Sequence, residues 1–202
     1  MELDSISDTY KNYDADLMGK LNQIYLMIIS RYKNVIENAE ELSVAQLPTL
    51  VTPKAQEVLL LASQICSDYK PYNYTMDFES AAINAFKIIN DKIDEIALSV
   101  QFWFTPQDTL HFMAGDKTDK AIVLCSLLIT LGNPSSKVVI VSKEEHRGIY
   151  VYAQLNKECL LFNFVNNTYM LFDNKESLLE HVKIHESDAA YEFNDQSYAD
   201  IA

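Results

Sequence analysis

The sequence predicts an α+β fold: a central buried helix packed on a small antiparallel sheet, preceded by a helical N-terminal region. Three observations predict it. Apolar residues recur at helical spacing up to Gly132 and change to strand-like runs from Lys137. One helical pattern, Asp116 to Gly132, is apolar nearly all round, as a helix enclosed by other elements must be. Beyond Lys137, β-branched and alternating runs are separated by short turn signals, which suits a meander of three or four antiparallel strands.

The elements follow in order. Met1 to Tyr13 is polar and acidic and is expected to fray. From Asp14 or Asp16, the positions Leu17, Leu21, Ile24, Ile28, Tyr32 and Val35 or Ile36 predict one amphipathic helix to about Ala39. Pro48 marks a loop. Thr52-Pro53 reads as a cap and first-turn pair for a helix carrying Val58, Leu59, Leu61, Ala62, Ile65 and Cys66. That helix is expected to end before Pro71. The tyrosine-rich connector Tyr69 to Tyr74 reads either as a contact surface or as a loop whose rings pack on neighbouring helices. Asp77 is the expected cap of a third helix through about Val100, buried along Phe78, Ala82, Ala85, Ile89, Ile93, Ile96 and Val100.

Two helix starts come next. Thr105-Pro106-Gln107-Asp108 places a hydroxyl at an N-cap, proline at the first helical position and a carboxylate three after the cap. Gly115 follows and is free to take a positive φ. Asp116 then caps the central helix, with Ala121, Leu124, Cys125, Leu128 and Leu131 near helical spacing and Gly132 and Pro134 ending it. Strands are expected at Lys137 to Ser142, Ile149 to Leu155, Cys159 to Val165 and Thr168 to Phe172. Lys143 to Gly148, Asn156-Lys157-Glu158 and Asn166-Asn167 are the turns between them. Asn174 caps a short helix with Leu178, Leu179 and Val182. Glu186 to Ala202 is acidic and weakly apolar and is expected to be mobile, with Tyr191, Phe193 and Tyr198 as residues able to dock. This divides the chain into a helical region 1-76, a core 77-172, and a short helix with an acidic tail 173-202.

Composition narrows the partners. The 202 residues are 49% hydrophobic, enough for a core, and carry 16 basic against 29 acidic side chains, a formal charge of -13. Such a surface repels phosphate backbones and anionic lipid, so a protein or peptide partner is expected rather than nucleic acid or membrane. No apolar run reaches spanning length, and Met1 to Asn22 lacks the regions of a signal peptide. Cys66, Cys125 and Cys159 are widely spaced and read as buried thiols in a reducing compartment, which places the chain in the cytoplasm. The oligomeric state stays open.

The stretch around the two helix starts resembles the core of the transglutaminase-like superfamily, a branch of the papain-like cysteine hydrolase fold. The matching residues are Trp103, Pro106, Asp108, Thr109, Leu110, Gly115, Asp116, Asp119, Ala121, Leu127, Leu128, Leu131 and Gly132, in register without a gap. The likeness covers roughly Asp77 to Phe172. It implies a transglutaminase-like core and a cleft between central helix and sheet that accepts extended polypeptide. Enzymes of that family carry a nucleophilic cysteine where this chain has Lys117. Their histidine and aspartate fall on Ile149 and Asn163. All three positions are altered, so the resemblance implies the fold without the chemistry.

The physical reading agrees. A helix N-terminus stabilises a thiolate but disfavours an ammonium, while Asp116 and Asp119 favour one. Lys117 is therefore either a solvated lysine in a site that has stopped reacting or a poised amine. Ile149 has no proton chemistry, and Asn163 has no imidazole there to orient. His146 lies three residues before Ile149, at a turn. Cys125 faces the core. His181 and His185 have the i, i+4 spacing of a metal pair but no acidic or cysteine partner motif, so no metal and no cofactor are expected.

Three functions remain. The first is a catalytically inactive transglutaminase-like scaffold or peptide-binding module, its cleft lined by Trp103, Asp116, Lys117, Ile149 and Asn163. The second is an amide hydrolase or acyl transferase of altered mechanism using Lys117. The third is a structural subunit whose N-terminal helix pairs with a partner.

Overall fold

The chain is described from a computed structural model, over residues 15–38, 46–97, 103–142, 147–182 and 189–201. Helix α1 spans Ala15–Asn38, close to the span that its apolar spacing predicts. Leu21, Ile24 and Ile28 are buried and cluster with Ile96, Phe104 and Ala114. Leu26 and Ile29 face outward, 68% and 59% exposed. A single helical turn, α2 (Leu47–Leu50), holds Pro48 in its first turn, where the missing N–H costs nothing. The predicted loop is therefore helical there.

Helix α3 (Gln56–Cys66) starts from Ala55 and not from Thr52-Pro53. Those residues form a turn closed by the Ala55 N–H on the Thr52 carbonyl. The turn is pinned to the molecule instead: the Thr52 N–H donates to Ser126 Oγ and the Thr130 hydroxyl donates to the Pro53 carbonyl. Helix α4 spans Tyr74–Lys92, and its cap is Asn73, whose side chain accepts from the Thr75 N–H. Asp77 lies in the first turn and accepts from the Asn73 N–H at 2.7 Å, so it serves the start without capping it. The proposed division at residue 76 falls inside this helix. Tyr72 donates to the Leu131 carbonyl and Tyr74 accepts from Asn133, so the tyrosine connector packs down.

The predicted run of α4 to Val100 fails at Lys92. The chain turns extended at Ile93, and β1 (Asp94–Glu95) pairs in parallel with β2 (Ala114–Gly115). Ile93 and Ile96 stay buried without being helical, and Val100 lies outside the described residues. Between β1 and β2 sits α5 (Pro106–Phe112), started by a full capping box of Thr105 and Asp108. Met113, not Gly115, takes the left-handed conformation that ends it, with φ 49°. The central helix α6 (Lys117–Thr130) follows, buried from Thr118 to Leu128, and ends at Gly132 with φ 109°.

Strands β3 (Lys137–Ser142), β4 (Arg147–Leu155), β5 (Glu158–Asn163) and β6 (Thr168–Phe172) form the predicted meander. Residues 143–146 of the first turn, His146 among them, lie outside the described residues. Asn156 and Asn167 take the positive φ that their turns need. Helix α7 (Lys175–Val182) starts from Asn174, which accepts from the Ser177 N–H. His185 is outside the described residues, so the spaced histidine pair is not described.

The chain end corrects the expected tail. Strands β7 (Ala189–Phe193) and β8 (Tyr198–Asp200) extend the sheet to six strands in the order β6-β5-β4-β3-β7-β8. Strand β7 pairs antiparallel with β3, Val138 opposite Phe193. Without it, β3 would present a bare apolar edge. Phe193 is buried, and Glu192 beside it is held by Lys137, Lys175 and Tyr152.

Both faces of β3, β4 and β5 are covered. Val138, Ile140, Ile149, Val151, Ala153, Leu160 and Phe162 join the main core with α3, α4 and α6. Val139, Val141, Tyr152, Cys159 and Leu161 pack with Leu178 and Val182 of α7. Burial on both sides is why β3 reads as an unbroken Val-Val-Ile-Val run. Leu47, Val51, Val58, Ala62 and Ile65 belong to the main core too, so α2 and α3 share one interior with the sheet, while α1 packs in its own cluster.

Candidate functional site

The head of α6 is built by a chain of backbone capping bonds. Asp116 is the N-cap and accepts from the Asp119 N–H at 2.8 Å. Asp119 answers with one oxygen accepting from the Asp116 N–H and the other from the Phe104 N–H, both at 2.9 Å. The second bond ties the segment carrying Trp103 to the start of the helix. Asp119 is 1% exposed, and burial, then the Asp116 charge beside it, pushes its carboxyl well above the usual range. Gly115 serves this arrangement by size rather than by φ. A Cβ there would stand 2.9 Å from Asp119 Cβ and 3.1 Å from Thr109 Cγ2.

Lys117 is the first residue of α6, as the sequence places it. Its ammonium lies 3.6 Å from Glu95 Oε1, with the lysine side chain about one third exposed at 34%. The β1–β2 pairing delivers Glu95 to that point, because it sets Glu95 opposite Gly115. Sequence reasoning missed this partner, since the residue was expected inside a helix. Asp94 next to it pairs with Lys20 of α1. Lys120, one turn on, is buried. Loss of water lowers its pKa, and the Glu95 and Asp94 charges oppose that shift. Arg31 of α1 makes a two-pronged contact with Asp108 at 2.6 and 2.9 Å. Burial alone would raise the Asp108 carboxyl, but Arg31 and Thr105 hold it below its ordinary value.

The remaining predicted site residues separate. Ile149 lies on β4 opposite Ile140 and belongs to the main core, 6% exposed. Asn163 is paired with Tyr150, and paired residues of a ladder share a face. Tyr150 packs against the second cluster, on the α7 side. Asn163 therefore sits on the face opposite Ile149 and does not line a cleft with it. Its side chain closes the following turn, accepting from the N–H groups of Val165 and Asn166.

The residue beside Ile149 is Phe164, whose N–H donates to the Ile149 carbonyl at 3.0 Å. Phe164 is buried and meets the Phe86 ring edge-on, with centroids 5.1 Å apart. Ile149 and Phe164 thus belong to the packed apolar interior. Trp103 is partly buried against the same core. Of the five candidates, Asp116 and Lys117 are adjacent at the helix head, Trp103 is connected to it through the Phe104–Asp119 bond, Ile149 is under the sheet-facing side, and Asn163 is across the sheet.

Two described cavities lie elsewhere. One of about 360 Å³ is lined by Asp16, Lys20, Gln23, His111 and Phe112 among others. Another of about 290 Å³ is bordered by Leu60, Leu61, Ile88, Ile93, Leu110 and Met113. Lys117, Ile149 and Asn163 line neither. The three cysteines are free thiols, and burial pushes each of them up, so none is primed to attack. Among the described residues no cluster of histidine, cysteine and carboxylate side chains could hold a metal ion. No helix there is long and apolar enough to cross a membrane.

No family model matches the sequence, and no curated protein matches it. Among solved structures the chain is similar to a "putative cysteine protease" from Cytophaga hutchinsonii, at 13% identity and a TM-score of 0.41. The match covers 80% of this chain and 55% of that one, so the chain spans about half the length of that protein.

Proposed function

We propose that this chain is a catalytically inactive transglutaminase-like module that works by binding protein or peptide. The observation that carries the reading is the buried apolar pair Ile149 and Phe164. The family resemblance places a base on the strand at residue 149, and an orienting group on the next strand must share its face. Neither isoleucine nor phenylalanine can take or give a proton. Asn163, the polar residue nearest by sequence, projects from the other face. Lys117 holds the nucleophile's place but is engaged by Glu95.

The same packing reassigns the binding role. A groove closed by Ile149, Phe164 and Phe86 does not receive a peptide, so binding belongs to outer surfaces. Helix α1 offers one, where Leu26 and Ile29 stand on one face at i, i+3 spacing and are mostly exposed. A net charge of -13 suits cationic protein surfaces.

The test is turnover by the purified chain on peptide amides and on glutaminyl substrates offered with an amine acceptor. The reading expects no product above that formed by the Lys117→Ala variant. Product formation that disappears in Lys117→Ala, with the fold intact by circular dichroism, would replace this reading with an amine mechanism.

A further inference from the structure

We propose that β6 is a docking edge that takes an extended, basic segment of a partner protein as a seventh strand of the sheet. The inference extends protein binding to a surface the reading above does not use, and it does not depend on whether Lys117 is inert. Strand β6 closes one side of the six-stranded sheet. Its five residues are all in regular register with β5, from Asn163 opposite Thr168 to Cys159 opposite Phe172. With one neighbour, alternate N–H and carbonyl groups along it point outward. Tyr169, Met170 and Leu171 are 42%, 44% and 46% exposed.

Edge strands are ordinarily guarded by brevity, charge, proline or a bulge. The opposite edge follows that rule: β8 has three residues and ends on Asp200. Strand β6 breaks it. From Cys159 to Phe172 the chain carries no charged residue and no proline, and the pairing is unbroken. The stored capacity is main-chain hydrogen bonding, with side chains read on both faces. Tyr169 and Leu171 share a face with Phe162 and Leu160, and Met170 and Phe172 share the other with Leu161 and Cys159. An incoming strand of alternating apolar residues would extend both sets.

Charge selects the occupant. The C-terminal end of β6 runs into Asp173, beside Glu158 at the start of β5, and α7 adds exposed Glu176 and Glu180. Of the lysines there, Lys175 is already held by Glu192 and Lys157 is exposed in the neighbouring turn. The N-terminal end of the strand, Asn166-Asn167-Thr168, is uncharged. A second copy of this chain would bring another -13 to the junction and leave the acidic end without a counter-charge. A segment with lysine or arginine before an alternating apolar run supplies it. Running antiparallel to β6, that segment sets its basic N-terminal end against Glu158 and Asp173.

The test uses four fluorescein-labelled synthetic peptides and the full chain. The first is Lys-Lys-Val-Thr-Val-Tyr-Val, the second replaces both lysines by glutamate, and the third and fourth N-methylate alternate residues of the first, one in each register. The proposal expects the lysine peptide to bind at least about tenfold tighter than the glutamate peptide, with the preference shrinking as salt rises. It expects the N-methylated form whose methyl groups face β6 to fail and the form methylated in the other register to bind, with slowed amide exchange at Thr168 to Phe172 in the complex. Leu171→Lys, on an exposed site, should weaken binding by about tenfold or more by placing a guard charge on the edge. Asp173→Lys should abolish the lysine preference while leaving the strand intact. Equal affinity for both charged peptides, binding that survives Leu171→Lys, or absence of binding overturns the proposal. So does a dimer in sedimentation that Leu171→Lys dissolves, which would make a second copy the occupant.

Discussion

Replacing Asp119 probes the head of the central helix at its most constrained point. Its carboxylate receives the N–H groups of Phe104 and Asp116, each at 2.9 Å, in a position 1% exposed to water. Asp119→Ala leaves both donors without their acceptor. A buried unpaired donor costs about 1–3 kcal/mol, so the pair is worth about 2–6 kcal/mol. Asp119→Asn keeps one acceptor oxygen and turns an amide donor toward the other N–H, so it should cost about half as much. Urea unfolding followed by tryptophan fluorescence reads the difference, because Trp103 adjoins Phe104. A pH series adds a signed check. The Asp119 pKa is raised in the folded chain, so its linkage contribution is complete below the ordinary carboxylate pKa and is lost as pH rises through the raised value. Asp119→Asn should flatten that decline. An Asp119→Ala chain within about 1 kcal/mol of the parent would refute the claim that this carboxyl holds the segment to the helix.

Two further outcomes follow, one at the same helix head and one at the buried Glu192 of β7. Gly115→Ala forces a Cβ to 2.9 Å from Asp119 Cβ, and the resulting overpacking should destabilise by about 1–3 kcal/mol in the same denaturation assay. Glu192 behaves oppositely to Asp119 with pH: burial would raise it, but Lys137, Lys175 and Tyr152 hold it below its ordinary value. Its contribution is present above the ordinary carboxylate pKa and lost as pH falls through the folded pKa, so Glu192→Gln should remove part of the acid-limb loss of stability in a pH-dependent melt.

What the sequence disclosed was local. Thr105 with Asp108 and Asp116 with Asp119 form capping boxes within four residues, and both helices start there. The apolar run of α6 and the turns at Asn156 and Asn167 are likewise short-range signals. The failures are long-range. Ile93 and Ile96 continue the spacing of α4, yet the chain leaves the helix because β1 finds a partner at Ala114–Gly115. The Ala189–Phe193 segment has no β-branched residue and becomes a strand because β3 offers it an edge. Asn163 illustrates the parity of sheets: one residue along a strand changes the face, and the motif spacing could not reveal that Phe164 is the neighbour of Ile149. Lys117 at the head of α6 was legible, and Glu95 beside it was not.

The central claim is that the space under residue 149 is filled core and not a substrate cleft. Thiol accessibility tests it directly. Ile149→Cys adds one thiol to the three native ones, and reaction with Ellman's reagent is followed with and without urea, against the parent chain. The packing around Ile149 and Phe164 predicts that the added thiol reacts only as the chain unfolds. A thiol at 149 that reacts in the native chain as fast as a surface cysteine would mean an open groove, and the account would be wrong.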